Sequence, residues 1–114
     1  MPSERALTAL DDIAANIRLA TCFVEDLTLE EFIADVKCFY AVVRCLEIVS
    51  EASRRIDAAV LERHPTLPWK AIHGAGNVYR HDYGDVTPKI VFATVRESLP
   101  SLLAAVEAEL ARAD

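Results

Sequence analysis

Leu7, Leu10, Ile13, Ala14 and Ile17 recur at steps of three and four residues, the repeat of one apolar face on an α-helix. Ser3, followed by Glu4, Arg5 and Ala6, opens this amphipathic helix, and the polar pair Glu25-Asp26 ends it near Val24. Thr28-Leu29-Glu30-Glu31 has the form of a capping box, with Thr28 accepting from the Glu31 amide while the Glu31 side chain reaches back. From Phe32 through Val36, Phe39, Val43, Leu46, Val49, Ala52 and Ile56 to Val60 the helical period then runs on to about Leu61. A second apolar line, Tyr40, Cys45 and Ile48, widens this face beyond what one packing partner needs. This is the central helix, with a kink or a short preceding turn near Ile33 to Asp35.

His64-Pro65-Thr66-Leu67-Pro68 stops it, since proline disfavours helix in the residue before it and donates no helical hydrogen bond. Pro68 suits the first turn of a third long helix, Trp69 to about His81. Gly74 and Gly76 inside that helix each cost roughly 1 kcal/mol relative to alanine, so close approach of another backbone is the simplest reason for them. After a turn at Tyr83-Gly84-Asp85-Val86, Thr87 and Pro88 supply the cap and first turn of the last helix, whose stripe is Val91, Val95, Leu99, Leu102, Val106 and Leu110. Pro100 inside this stripe predicts one bent helix. The expectation is an all-α fold, an up-and-down bundle of four main helices plus a short one, forming a single domain over residues 1–114.

Composition supports one core: 114 residues with 53% apolar content suffice for one domain and argue against disorder. No apolar run approaches the roughly 20 residues that span a bilayer, and the start, Met-Pro-Ser-Glu-Arg, lacks the profile of a signal peptide, so a cytoplasmic protein is expected. Cys22, Cys38 and Cys45 lack metal-site spacing and read as buried or half-buried free thiols; Cys38 and Cys45, two turns apart on one helix, would sit about 10 Å apart, too far for a bridge. The net charge of −6 argues against nucleic-acid binding by the whole surface. Its distribution changes the picture, because Arg63 to His81 contains no Asp or Glu while holding Arg63, His64, Lys70, His73, Arg80 and His81. An acidic body carries one basic edge.

The chemistry concentrates at the end of that edge. Pro68-Trp69, Gly74, Asn77, His81, Tyr83 and, in the following helix, Leu99-Pro100 occur in the order seen in HepT-like proteins of the HEPN superfamily, which the chain resembles over nearly its whole length. Ser50-Glu51-Ala52 is similar to that family's Gly-Glu-Ala stretch. The resemblance implies a dimeric, metal-independent ribonuclease, the toxin of a type VII toxin–antitoxin pair. Its partner would be an MNT-type nucleotidyltransferase, the antitoxin, which adenylylates a tyrosine. It implies His81 as a catalytic residue and Tyr83 as the modified residue, with Asn77 in support; Gly76 and Asp82 are further supporting candidates beside them.

One position departs from the family. Five residues before His81, where the motif has arginine, stands Gly76. Arg80 is the only arginine close by in sequence and lies one helical turn beyond Gly76, so it is the candidate to supply the missing charge. The residue types suit RNA cleavage: histidine serves as base or acid near neutral pH, and arginine holds phosphate oxygens bidentately. One histidine is thin for both roles, and a homodimer bringing two copies of His81 to one cleft would remedy that; Gly74 and Gly76 are compatible with such an interface.

Taken alone, His81 would read as a favourable cation near a helix C-terminus, and Tyr83 as an ordinary turn residue. Trp69 and Tyr79 read as packing residues, His73 as structural or solvent-facing, and Glu51 as a buried acceptor or a solvent residue. No phosphate-loop, His-Glu-x-x-His, Cys-x-x-Cys or Gly-x-Ser-x-Gly motif occurs, so neither a cofactor nor a metal is implied. Two further readings stand beside the ribonuclease: a catalytically silent member of the fold that binds the nucleotidyltransferase, and a structural helical adaptor.

Overall fold

The computed structural model describes residues 3–81 and 86–113. Seven α-helices and one π-helical turn follow one another, with no strand among the described residues. They are α1 (Glu4–Val24), α2 (Leu29–Ala34), α3 (Val36–Ser53), α4 (Ala58–Arg63), α5 (Trp69–His81), α6 (Pro88–Ala93), the π-turn Thr94–Ser98 and α7 (Leu99–Ala113). The long rods α1, α3, α5 and α6 to α7 are the four main helices of the expected bundle.

Local signals set the starts. Ser3 Oγ accepts from the Ala6 amide at 3.1 Å, and Thr87 Oγ1 from the Ile90 amide at 3.3 Å. At Thr28 both halves of the capping box form: Thr28 Oγ1 accepts from the Glu31 amide at 3.1 Å, and the Thr28 amide donates to Glu31 Oε1 at 2.9 Å.

The long central helix is a correction. The turn expected near Ile33 to Asp35 does set off a short helix, α2, at Asp35, but the rod that follows is in two pieces, α3 and α4, separated over residues 54–57. At the first break the Asp35 carboxylate caps α3 by accepting from the Cys38 amide at 3.0 Å. At the second, the Ser53 hydroxyl turns back to the Ser50 carbonyl at 2.6 Å, and the amides of Arg54, Arg55 and Ile56 bond three residues back instead of four. The apolar period survives the break, because Ala52, Ile56 and Val60 are all buried.

The last rod also bends differently from the simple kink expected at Pro100. The Leu99 amide reaches the Thr94 carbonyl, five residues back, so a π-turn forms just ahead of the proline. A proline at 100 offers no N–H to the carbonyl of residue 96, and widening the preceding turn relieves its ring against that carbonyl. Arg96, within this turn, uses its guanidinium elsewhere: Nη2 donates to the carbonyls of Val24 at 2.8 Å and Leu27 at 2.9 Å. It thereby closes the C-terminal end of α1, where helical carbonyls lack partners.

The core runs between α1, α3 and α7 through Leu10, Ile13, Ile17, Val42, Leu46 and Val106, and α5, packed on α3, joins it through Tyr79. A largely buried carboxylate, Glu109 of α7, ties in α4: His64 Nε2 lies 2.8 Å from Oε2, and Arg63 Nε donates to the same oxygen at 3.1 Å. These contacts hold Glu109 at a pKa of about 2, chiefly through the Arg63 hydrogen bond, against the opposing effect of burial. No helix among the described residues is long and apolar enough to cross a membrane. The three cysteines are free; Cys45 is buried and Cys38 half-buried, whereas Cys22 is exposed, contrary to the burial expected for it, because it falls on the outer face of α1.

Candidate functional site

α5 carries the acid-free edge and begins where the two prolines end the preceding segment. The Trp69 indole donates to the His64 carbonyl at 2.9 Å while the ring packs against the core, the packing role read for it. Tyr79, two to three turns on, is buried as well; burial raises its phenol pKa, partly offset by a hydrogen bond to Thr94. Tyr79 is therefore no free stacking platform, and Trp69 is half-buried.

The inner face of α5 lies along the C-terminal half of α3, and a compact polar knot joins them. The Gly76 amide donates to Ser50 Oγ at 2.8 Å, and the Ser50 hydroxyl donates to the His73 carbonyl at 3.2 Å. Arg54 Nε donates to the same carbonyl at 2.9 Å. A Cβ at position 76 would stand 3.1 Å from Ser50 Oγ and 3.6 Å from Arg54 Nη2. Gly76 is therefore a close-approach glycine, as expected, but what approaches is the side chains of Ser50 and of Arg54, the residue that caps α3, not a backbone.

Gly74 is a correction. A Cβ there would meet nothing within 4 Å, so contact within the chain does not explain it. Two residues at about 100° each set Gly74 and Gly76 on opposite faces of the helix. The face of Gly74 borders an apolar groove of about 860 Å³, lined by Pro68, Trp69, Val78, Val86 and Ile90 among others. Val78 and Ile90 are exposed there.

His73 sits with its ring beside Trp69, centroids 6.3 Å apart, and its Nε2 is buried without a hydrogen-bond partner among the described residues. Asn77 follows one turn later on the exposed surface. His81 is the last residue of α5, and the period of 3.6 sets positions 73, 77 and 81 along one line, with 76 and 80 along its flank. The side chains of Arg80 and His81, and Asp82 and Tyr83 entirely, lie outside the described residues. Glu51 is a solvent residue, 3.9 Å from Arg55. Among the described residues no group of three or more His, Cys, Asp and Glu side chains is arranged to hold a metal ion.

The family described as "Ribonuclease HepT-like" matches residues 13–109, a span that runs from α1 to α7 and includes the whole α3–α5 knot. The chain belongs to the HepT-like ribonuclease family. It is 37% identical over 93 residues to a probable ribonuclease HepT of Thermococcus cleftensis, covering 82% of this chain and 84% of that protein. It is 36% identical over 98 residues to a putative RNase of Methanocaldococcus jannaschii, covering 86% and 90%. A putative RNase of Caldanaerobacter subterraneus is 33% identical over 79 residues, 69% of this chain and 70% of that one. No solved structure matches significantly.

Within this HepT-like chain, the residue that sequence reasoning missed is Arg54. Nothing near Gly76 in the sequence signals it, because it stands 19 residues before its carbonyl partner at His73 and is brought there only by the packing of α5 on α3.

Proposed function

We propose that this HepT-like protein is a metal-independent RNA endonuclease and the toxin of a toxin–antitoxin pair. The observation that carries the reading is family membership over residues 13–109, together with the line of positions 73, 77 and 81 on an acid-free helix. In this mechanism a base removes the proton of a ribose 2′-hydroxyl, and the 2′ oxygen attacks the adjacent phosphorus. The bond to the 5′ oxygen breaks, an acid returns a proton to that oxygen, and a 2′,3′-cyclic phosphate remains. His81 serves as base or acid, and Arg80 is the candidate cation on α5. A homodimer supplies a second His81, and the apolar groove beside Gly74, with Val78 and Ile90 exposed, supports association with a second copy.

Regulation falls on Tyr83. A nucleotidyltransferase antitoxin would join its phenol oxygen to the α-phosphorus of ATP with release of pyrophosphate. The anionic nucleotide then repels RNA phosphate beside His81. The test is the chemistry of the ends: fragments produced in chelator should carry 2′,3′-cyclic phosphate and 5′-hydroxyl termini, and 5′-phosphate ends would refute the mechanism.

A second reading has its own support. Ser50 crowds position 76, so the family's motif arginine would press its Cβ to 3.1 Å from the Ser50 hydroxyl. That favours a silent HepT-like scaffold that binds the nucleotidyltransferase without cutting RNA. Cleavage by the purified chain separates the two readings.

A further inference from the structure

We infer that Arg54 is the phosphate-contacting cation of this site, supplied from the C-terminal cap of α3 in place of an arginine at position 76; the inference rests on the ribonuclease reading above. Three observations carry it. Its Nη2 lies 3.6 Å from the point where a position-76 Cβ would be, so a guanidinium already stands in van der Waals contact with the root of the missing side chain. Its Nε is fixed on the His73 carbonyl at 2.9 Å, which holds the group against the same stripe of α5 that ends at His81. Arg54 is nonetheless exposed, and among the described residues no carboxylate stands within ion-pair distance of it, whereas its neighbour Arg55 is paired with Asp12 at 3.1 Å.

The arrangement is chemically apt. Using only Nε for the carbonyl leaves the two Nη groups, with four N–H donors, for phosphate oxygens. The carbonyl anchor fixes the fork before RNA arrives, so less side-chain freedom is lost on binding. The substitution is also self-consistent. Ser50 fills the volume at the α3–α5 contact that a glycine would leave open, and Gly76 gives Ser50 its room. The cation and the space-filling group thus both come from the C-terminal end of α3 and its cap.

The experiment compares wild type, Arg54→Gln, Arg80→Gln and the triple variant Ser50→Gly/Arg54→Gln/Gly76→Arg. Each is assayed for chelator-resistant cleavage of a single-stranded oligoribonucleotide. Binding of the same oligonucleotide is measured against salt, with His81→Ala added to every form so that it stays intact. Arg54→Gln retains a donor of similar reach for the His73 carbonyl, so the knot survives while the charge goes. Arg54→Gln should cut at least tenfold more slowly and lower the slope of log K against log salt by about 0.7, the loss of one phosphate contact on a single strand. The triple variant should recover both. Arg54→Gln matching wild type in rate and slope, or the loss appearing only in Arg80→Gln, overturns the assignment to Arg54. Wild type that neither cuts nor binds RNA overturns the ribonuclease reading and this inference with it. Binding without cutting, with the slope still lowered by Arg54→Gln, upholds Arg54 as the phosphate contact and removes only the catalytic reading.

Discussion

Ser50 and Gly76 are sterically and chemically matched: the serine hydroxyl receives the glycine amide at 2.8 Å and stands 3.1 Å from where a glycine Cβ would be. Glycine inside a helix forgoes roughly 1 kcal/mol of propensity relative to alanine. Here that deficit is accepted because a buried hydroxyl, bonded on both sides, occupies the space.

The match predicts a coupling. Gly76→Ala should be less favourable in the wild-type background than in Ser50→Gly by about 1 kcal/mol, the scale expected for residues in direct contact. Gly76→Arg alone should destabilise by about 1–3 kcal/mol through overpacking, and Ser50→Gly should recover most of it. Denaturant unfolding of the four-member cycle checks this, and simple additivity would contradict it.

Glu109 predicts an acid-labile clamp. Its folded pKa of about 2 lies below the ordinary value of 4.5, so it contributes stability that is complete above pH 4.5 and is lost as pH falls toward 2. For this nearly buried carboxylate the contribution is on the order of 3 kcal/mol. Glu109→Gln should lower stability at pH 7 by about that amount and flatten the acid limb between about pH 5 and 2. Unfolding free energies measured across that range decide it.

Arg96 should act through the geometry of its guanidinium, one nitrogen of which, Nη2, makes both carbonyl contacts, not as a charge alone. It serves the carbonyls of Val24 and Leu27 at once and lies 4.7 Å from the centroid of the Phe92 ring. Arg96→Ala should cost about 1–3 kcal/mol by freeing the carbonyls at the end of α1, and Arg96→Lys should restore only part of it. Equal stability of the lysine variant and wild type would show that charge alone suffices.

What could be read from the sequence follows the distance over which each signal acts. The capping box at Thr28 and the starts at Ser3 and Thr87 are local, so the residues carry them openly. The break after Ser53 was hidden, because Ile56 and Val60 keep the apolar period while the chain leaves helical geometry. The π-turn ahead of Pro100 was legible only as a bend. At the site, the order of Pro68, Trp69, Asn77 and His81 was enough to find the family, since the motif is contiguous. Arg54 was not legible, because its relation to Gly76 exists only once α5 lies on α3.

The most direct test of the central claim is RNA cleavage by the purified chain in the presence of chelator, compared with its His81→Ala variant. The account predicts cutting that resists the chelator and falls by at least a hundredfold in His81→Ala, within the range general acid–base catalysis commonly supplies, about 10²–10⁴. Cutting that persists undiminished in His81→Ala, or no cutting by the wild type at any protein excess, would contradict it.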